Sequence, residues 1–334
     1  MSQLPDTSAP LSEETMIDAM TTIMTGQSND ADIETFLRGL ASRGETADEI
    51  TGAARVMREK ASSIKAPQGA IDCCGTGGDA SGTYNISTAV AIVSAACGVP
   101  VAKHGNRAAS SKSGAADVLE ALGANLDISR DTLEDALQTL NFCFLMAPNH
   151  HQAIKHVMPA RKAIGNRTIF NLLGPLANPA GTKHQLIGVF DKKWITPMAE
   201  TLRNLGSQSA IIVHGHDGLD EISISAPTDI AILKNGHIET KTITPEDFSL
   251  PIHPLEDLKG GDANENASAL QSVLDGAKNA YRDIVLSNTA AVLLIAGKAS
   301  NLKDGVQIAS DAIDSGKANQ LLKDYIEFTR KAAS

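Results

Sequence analysis

Two loops in this sequence carry residue types suited to holding anions, and one follows closely on the other. The first, Gly75-Thr-Gly-Gly-Asp79, comes after a short apolar strand, Ala70–Cys74, and leads to Asn85-Ile-Ser-Thr88 at the head of an apolar helix. Glycines let the backbone turn through positive φ and approach a ligand closely. Asn85, Ser87 and Thr88 are helix-capping types, and a helix N-terminus offers free N–H groups and a partial positive charge. The second loop, His104-Gly-Asn-Arg-Ala-Ala-Ser-Ser-Lys-Ser-Gly114, lies between the strand Val99–Lys103 and the helix Ala115–Leu122. It sets Lys103, Arg107 and Lys112 among hydroxyls and small residues, which suits a second phosphate. Two adjacent anion cradles imply a substrate with two separated phosphates.

A third feature is Asp220-Glu221, which follows an apolar strand and a turn containing Gly215 and Gly218. Neighbouring carboxylates repel unless a cation lies between them, and Mg²⁺ prefers hard oxygen ligands shared with substrate phosphates. A solvated surface pair is the plainer alternative. His214 and His216 read as structural. No Ser-His-Asp or Cys-His constellation is apparent. Gly75–Ala80 also fits the dinucleotide pattern G-x-G-x-x-A. There the helix should open within the motif and the next strand should end in an acid. Here the capping residues come some ten positions later, and the strand ends in Lys103-His104. No G-K-[ST] follows the glycines, so this is not a P-loop.

The elements that position these loops form two blocks. Residues 11–65 read as three amphipathic helices, with Ser12 capping the first and a Thr46/Glu49 capping box opening the third. Ile50, Met57 and Ile64 are the apolar positions of the third, and the methionines in this block read as core or subunit interface. From Ala70 strands and helices alternate, so the fold class is α/β: a small all-helical domain plus a large α/β domain with a central, mostly parallel sheet flanked by helices. The patterning predicts a continuous helix over His150–Ile164 and a strand over Glu221–Ser225. It also predicts a hairpin turning at Asn235-Gly236 and a mobile loop over Pro251–Glu265.

The chain of 334 residues carries a net charge of −10, which argues against general nucleic-acid binding and makes any anion site local. The four cysteines show no CxxC spacing and read as free thiols of a reducing compartment. With no signal peptide and no apolar stretch long enough to span a membrane, the cytoplasm is the expected location.

The motifs GTGGD, YNIST, KHGNRAASSKSGAAD, RTIFNLLGPLANP and DGLDE, in that order, resemble the anthranilate phosphoribosyltransferases of tryptophan biosynthesis. The resemblance implies a helical domain of residues 1–66 completed by about 166–180, an α/β domain of 67–165 and 181–334, and a homodimer through the helical domains. It implies phosphoribosyl-diphosphate binding by Gly75, Gly77, Gly78, Asp79, Thr83, Asn85, Ser87, Thr88, Lys103, Arg107 and Ser111, with Ser110 a further loop candidate. It implies Mg²⁺, up to two ions, at Ser87, Asp220 and Glu221. Gly75, His104, Asn106, Ala147, Pro148, His151 and Arg161 would surround anthranilate, with Arg161 presenting its fork to the carboxylate. Lys162 and Arg167 are rivals for that carboxylate, and Ile154 departs from the larger residue expected there. A pyrimidine nucleoside phosphorylase would carry a different second loop. A nucleic-acid-binding relative would show a basic groove.

Overall fold

Ser12 accepts a hydrogen bond from the Thr15 N–H and opens α1 (Glu13–Met24), with Glu13 and Glu14 in the turn where the helix dipole favours them. Asn29 caps α2 (Asp30–Arg43) through the Asp32 N–H, and the Thr46/Glu49 capping box precedes α3 (Ala47–Glu59). The computed structural model describes residues 4–108 and 112–332. Met16, Met20, Met24 and Met57 are all buried in the chain's own core beside Phe36, Leu37 and Ile50. They are core residues, one of the two alternatives the sequence left open. Ile64 lies beyond α3 and packs into the other main core.

The chain then alternates: β1 (Ile71–Gly75), α4 (Ile86–Ala96), β2 (Val101–Gly105), α5 (Ala115–Ala121), α6 (Arg130–Leu140), β3 (Phe142–Met146) and α7 (Ala147–His150). After α8 (Met158–Ile164) and α9 (Phe170–Leu173) come β4 (His184–Gly188), α10 (Ile195–Asn204), β5 (Ser209–Gly215), β6 (Thr228–Lys234) and β7 (His237–Ile243). Four helices finish it: α11 (Ala263–Leu274), α12 (Ala280–Ile295), α13 (Leu302–Asp314) and α14 (Lys317–Lys331). The sheet order is β3-β2-β1-β4-β5-β6-β7, parallel through β5 and antiparallel at β6 and β7. The β6–β7 hairpin turns at Asn235 and Gly236, both with positive φ.

Side chains alternate across the sheet with period two. On β5, Ile211 and Val213 join the core under α4 and α12, whereas Ala210 and Ile212 join the core shared with α1–α3, α9 and α10. Strand order reverses between β1 and β4, and the register pairs Gly75 with Gly188 at their C-terminal ends. Ligands of open α/β sheets bind at such a reversal, outside the carboxyl ends of the strands.

Three expectations are corrected. His150–Ile164 is not one helix: α7 ends at His150, a 3₁₀ turn covers Gln152–His156, and α8 restarts with Pro159 in its first turn. Proline lacks the N–H that a continuing helix needs and disfavours helical backbone in the residue before it. Glu221–Ser225 is not a strand. The Ile222 N–H and carbonyl are both taken by the side-chain amide of Asn288 on α12, at 2.9 Å each, which leaves them no strand partner. Pro251–Glu265 contains a 3₁₀ turn at Leu255–Leu258, buries Leu258 completely, and pairs with the first anion loop.

Candidate active site

Gly75 and Gly188 are glycines because Asp220 is pressed against both. A Cβ on Gly75 would stand 2.8 Å from Asp220 Cγ, and one on Gly188 would collide with the Asp220 backbone carbonyl. The strand-end glycines thus open room at the sheet reversal for a carboxylate delivered by the loop after β5. Asp220 Oδ2 accepts the Gly77 N–H at 2.9 Å, and the Glu221 carboxylate faces the Ser87 N–H in the first turn of α4, which favours its charged form. That helix end carries partial positive charge, so an anion rests there favourably.

Lys103, 1% exposed in the middle of β2, reaches to β1 to donate to the Cys73 carbonyl at 2.8 Å and on to Ser87 Oγ at 3.2 Å. Next to it, buried Asp72 accepts the His104 N–H at 3.1 Å and the Asn178 amide at 2.7 Å. Burial holds the Asp72 carboxyl above its ordinary range, opposed by Lys103. Gly75, Gly77, Ser87, Lys103, Asp220 and Glu221 thus meet in one cleft.

Acid dominates the middle of that cleft. Burial first, and Asp79 second, push the Asp220 carboxyl up to about 7. Burial, then Asp220, push Glu221 well above its usual value, opposed by Lys103. Each acid resists the charging of the next, so the cluster lacks positive charge, and a divalent cation fits that deficit. Among the described residues no three His, Cys, Asp or Glu side chains form a metal-binding group. A Mg²⁺ ion here would therefore complete its shell with substrate oxygens, as that ion commonly does.

The first loop turns through positive φ at Gly77 and Gly78, and the Gly78 carbonyl accepts the Arg167 guanidinium. Arg167 stacks on Phe190 with its carbon 4.0 Å from the ring centroid. Of the rivals for the anthranilate carboxylate, Arg167 is thereby engaged. Asp79 accepts the Ser81 N–H at 3.3 Å, and Thr83 bridges to Lys259. Asn85 precedes α4 without capping it, because its side chain bonds Asn266 and Ser113 instead. Thr88 Oγ1 is buried in the first turn of α4 without a hydrogen-bond partner among the described residues.

In the second loop Asn106 Oδ1 accepts the Arg107 N–H at 2.8 Å, and Arg107 turns from the cleft to pair with Asp117 and, through two nitrogens, Glu120. Ser111, with Ser110, lies outside the described residues.

A second group of candidates gathers beyond β2 and β3. His104 and His151 meet edge to face, ring centroids 5.2 Å apart, with His104 Nδ1 3.1 Å from the Gly174 carbonyl. Burial first, then the neighbouring imidazole, pulls His104 down to about 3; burial, then His150, pulls His151 to about 4. Both rings are neutral at pH 7, and the Nε2 atoms of His104, His150 and His151 are buried without partners among the described residues. Ala147 and exposed Pro148 begin α7 at the end of β3. Arg161 on α8 lies over Phe170, carbon to centroid 5.4 Å, and its guanidinium has no ion-pair partner among the described residues. Burial lowers its pKa, as expected for a cation awaiting an anion.

Asp72, Asn178, Gly188, Lys259 and Asn266 were missed by sequence reading. Only the doubled glycine at 260–261 hinted at a close approach.

Residues 67–319 match the family model "Glycosyl transferase family, a/b domain", and residues 6–61 match "Glycosyl transferase family, helical bundle domain". An anthranilate phosphoribosyltransferase of Azospirillum brasilense is 56% identical over 310 residues, covering 93% of this chain and 87% of that protein. One from Xanthobacter autotrophicus is 55% identical over 93% of this chain and 90% of its own. The Thermus thermophilus anthranilate phosphoribosyltransferase structure aligns over 97% of both chains with a TM-score of 0.92 and 42% identity. The Saccharomyces cerevisiae enzyme, solved with phosphoribosyl diphosphate (PRPP) and Mg, aligns over 96% of this chain and 94% of its own, TM-score 0.87, at 30% identity. With this likeness running through the helical block, the sheet and both anion loops, the chain belongs to the anthranilate phosphoribosyltransferase family.

Proposed function

We propose that this cleft transfers the 5-phosphoribosyl group of PRPP to the amine of anthranilate, giving N-(5-phosphoribosyl)anthranilate and diphosphate, the second step of tryptophan biosynthesis from chorismate. The observation that carries the reading is the meeting, at one strand reversal, of a glycine loop, a helix N-terminus, buried Lys103 and the Asp220–Glu221 pair. The amine nitrogen bonds to the ribose carbon as the bond to diphosphate breaks, and the amine then gives up a proton. Positive charge builds on the sugar and negative charge on the leaving group, so positioning and electrostatics suffice and no protein nucleophile is needed.

Within this reading Gly75, Gly77, Gly78, Asp79, Thr83, Asn85, Ser87, Thr88 and Lys103 hold PRPP, joined by Arg107 and Ser111 from the second loop. Lys103 presents a fixed cation whose own bonds keep it in place. Asp220, Glu221 and Ser87 would hold Mg²⁺, which when bound neutralises diphosphate oxygens. The Arg161 fork, with no ion-pair partner among the described residues, takes the anthranilate carboxylate, and His104, Asn106, Ala147, Pro148 and His151 enclose the ring and amine. The neutral imidazoles suit this, since two cations there would compete with Arg161 for the carboxylate. The division into a helical domain completed by 166–180 and an α/β domain belongs to the same proposal. The shared core of α1–α3 with Ile169–Ala177 supports it. A homodimer and a cytoplasmic location also belong to it and rest on the family resemblance; among the described residues no helix is long and apolar enough to cross a membrane.

The test is the double substitution Asp220→Asn with Glu221→Gln, assayed across a Mg²⁺ titration. Turnover should collapse at limiting Mg²⁺ in the folded variant. Wild-type rates there would remove the acid pair from the site.

A further inference from the structure

Asn266, on α11 and 2% exposed, uses both polar atoms of its side chain to join separate loops. Its Oδ1 accepts the Gly261 N–H at 2.8 Å, and its Nδ2 donates to Asn85 Oδ1 at 2.8 Å. Asn85 then donates from Nδ2 to the Ser113 carbonyl, at the end of the second anion loop, at 3.3 Å. The Asn85 carbonyl accepts the Tyr281 hydroxyl at 3.1 Å, and the Tyr281 ring stacks on Tyr84 at 4.5 Å.

The segment before α11 grips the first loop through main-chain bonds. The Tyr84 N–H donates to the Leu258 carbonyl at 3.0 Å, the Gly260 N–H to Gly82 at 2.9 Å, and the Lys259 ammonium to the Ser81 carbonyl. Gly260 allows this approach, since a Cβ there would lie 2.7 Å from Asn266 Oδ1 and 2.8 Å from the Thr83 carbonyl. Asn266 is not needed to start its own helix, because Asp262 already caps α11 through the Asn264 and Glu265 N–H groups.

We propose that Asn266 is a positioning residue for the phosphate cradle: it fixes the Asn85 side chain and, through Asn85, couples the setting of the first anion loop to that of the second. The proposal rests on the phosphoribosyl-transfer reading of the cleft. A buried amide bonded through both its oxygen and its nitrogen is held in one rotamer, and a broken link leaves a stranded donor or acceptor.

Asn266→Asp preserves shape while replacing the donor to Asn85 with an acceptor. Two readings are taken: separate KM values for PRPP and anthranilate, and backbone hydrogen exchange over residues 82–85 and 112–117. The KM for PRPP should rise about tenfold while that for anthranilate stays within about twofold, and exchange should quicken in both loops. Equal damage to both substrates, or faster exchange confined to residues 262–274, would overturn the coupling. Gly260→Ala disturbs the same contacts from the other side and should loosen both loops too; if it loosens only the first, the link through Asn85 is refuted. Exchange needs no turnover, so an inactive wild-type enzyme with coupled loops would refute the reaction and leave the coupling standing.

Discussion

A single methyl group placed at Gly75 should disable the cleft with little harm to the fold. In Gly75→Ala the new Cβ would stand 2.8 Å from Asp220 Cγ and closer still to Oδ2. Ordinary contact begins near 3.4 Å, so the carboxylate must retreat by at least about 0.6 Å. The retreat breaks its 2.9 Å bond from the Gly77 N–H and moves a proposed metal ligand off its mark. A side chain can swing aside, so the stability cost should be about 1–2 kcal/mol. A misplacement approaching 1 Å at a reacting centre costs up to about 10²-fold in rate. The assay is anthranilate consumption at saturating substrates, alongside a urea melt. A folded Gly75→Ala enzyme turning over within about threefold of wild type would refute the reasoning. Gly188→Ala is the contrast: its methyl meets the Asp220 backbone rather than a movable side chain. It should cost stability as well as rate, by more than about 3 kcal/mol.

Arg161→Ala should raise the KM for anthranilate by roughly 10- to 100-fold while barely changing that for PRPP; equal damage to both would return Lys162 and Arg167 to consideration. Glu120→Gln with Asp117→Asn should remove both acidic partners of Arg107 and lower the KM for PRPP about two- to threefold. An unchanged KM would mean the pair does not compete with substrate. His104 and His151 titrate lower folded than unfolded, so the unfolded chain takes up protons first as pH falls. Their stabilising contribution is full above pH ~6.5 and is lost toward pH ~4, at up to about 1.4 kcal/mol per pH unit for each ring. Urea midpoints at pH 7.5, 6 and 5 should show this slope, and His104→Gln with His151→Gln should flatten it; an unchanged slope would contradict the assignment.

Much of the architecture was legible because local chemistry and fold agreed. Ser12, the Thr46/Glu49 box and Asn235-Gly236 each act where their residue types place them. The apolar runs found the strands because a parallel sheet is covered on both faces. The errors came where a partner distant in sequence took over. Ile222 looks like strand but spends its backbone bonds on Asn288, 66 residues away. Asn85 looks like a cap but is held by Asn266. The methionines of α1 and α3 look equally suited to a core or an interface, and periodicity cannot separate the two. The first cleft was readable as loops and acids. The fit of Asp220 against Gly75 and Gly188 was not, because it depends on three chain segments meeting at one strand reversal.

The reaction itself has a direct measurement. Anthranilate is fluorescent, so its emission can be followed after mixing with the purified protein, PRPP and Mg²⁺, with parallel samples lacking each component and one containing EDTA. Decay only in the complete mixture, with N-(5-phosphoribosyl)anthranilate formed in step, is the expected result. Steady emission from folded protein with both substrates saturating would contradict phosphoribosyl transfer to anthranilate.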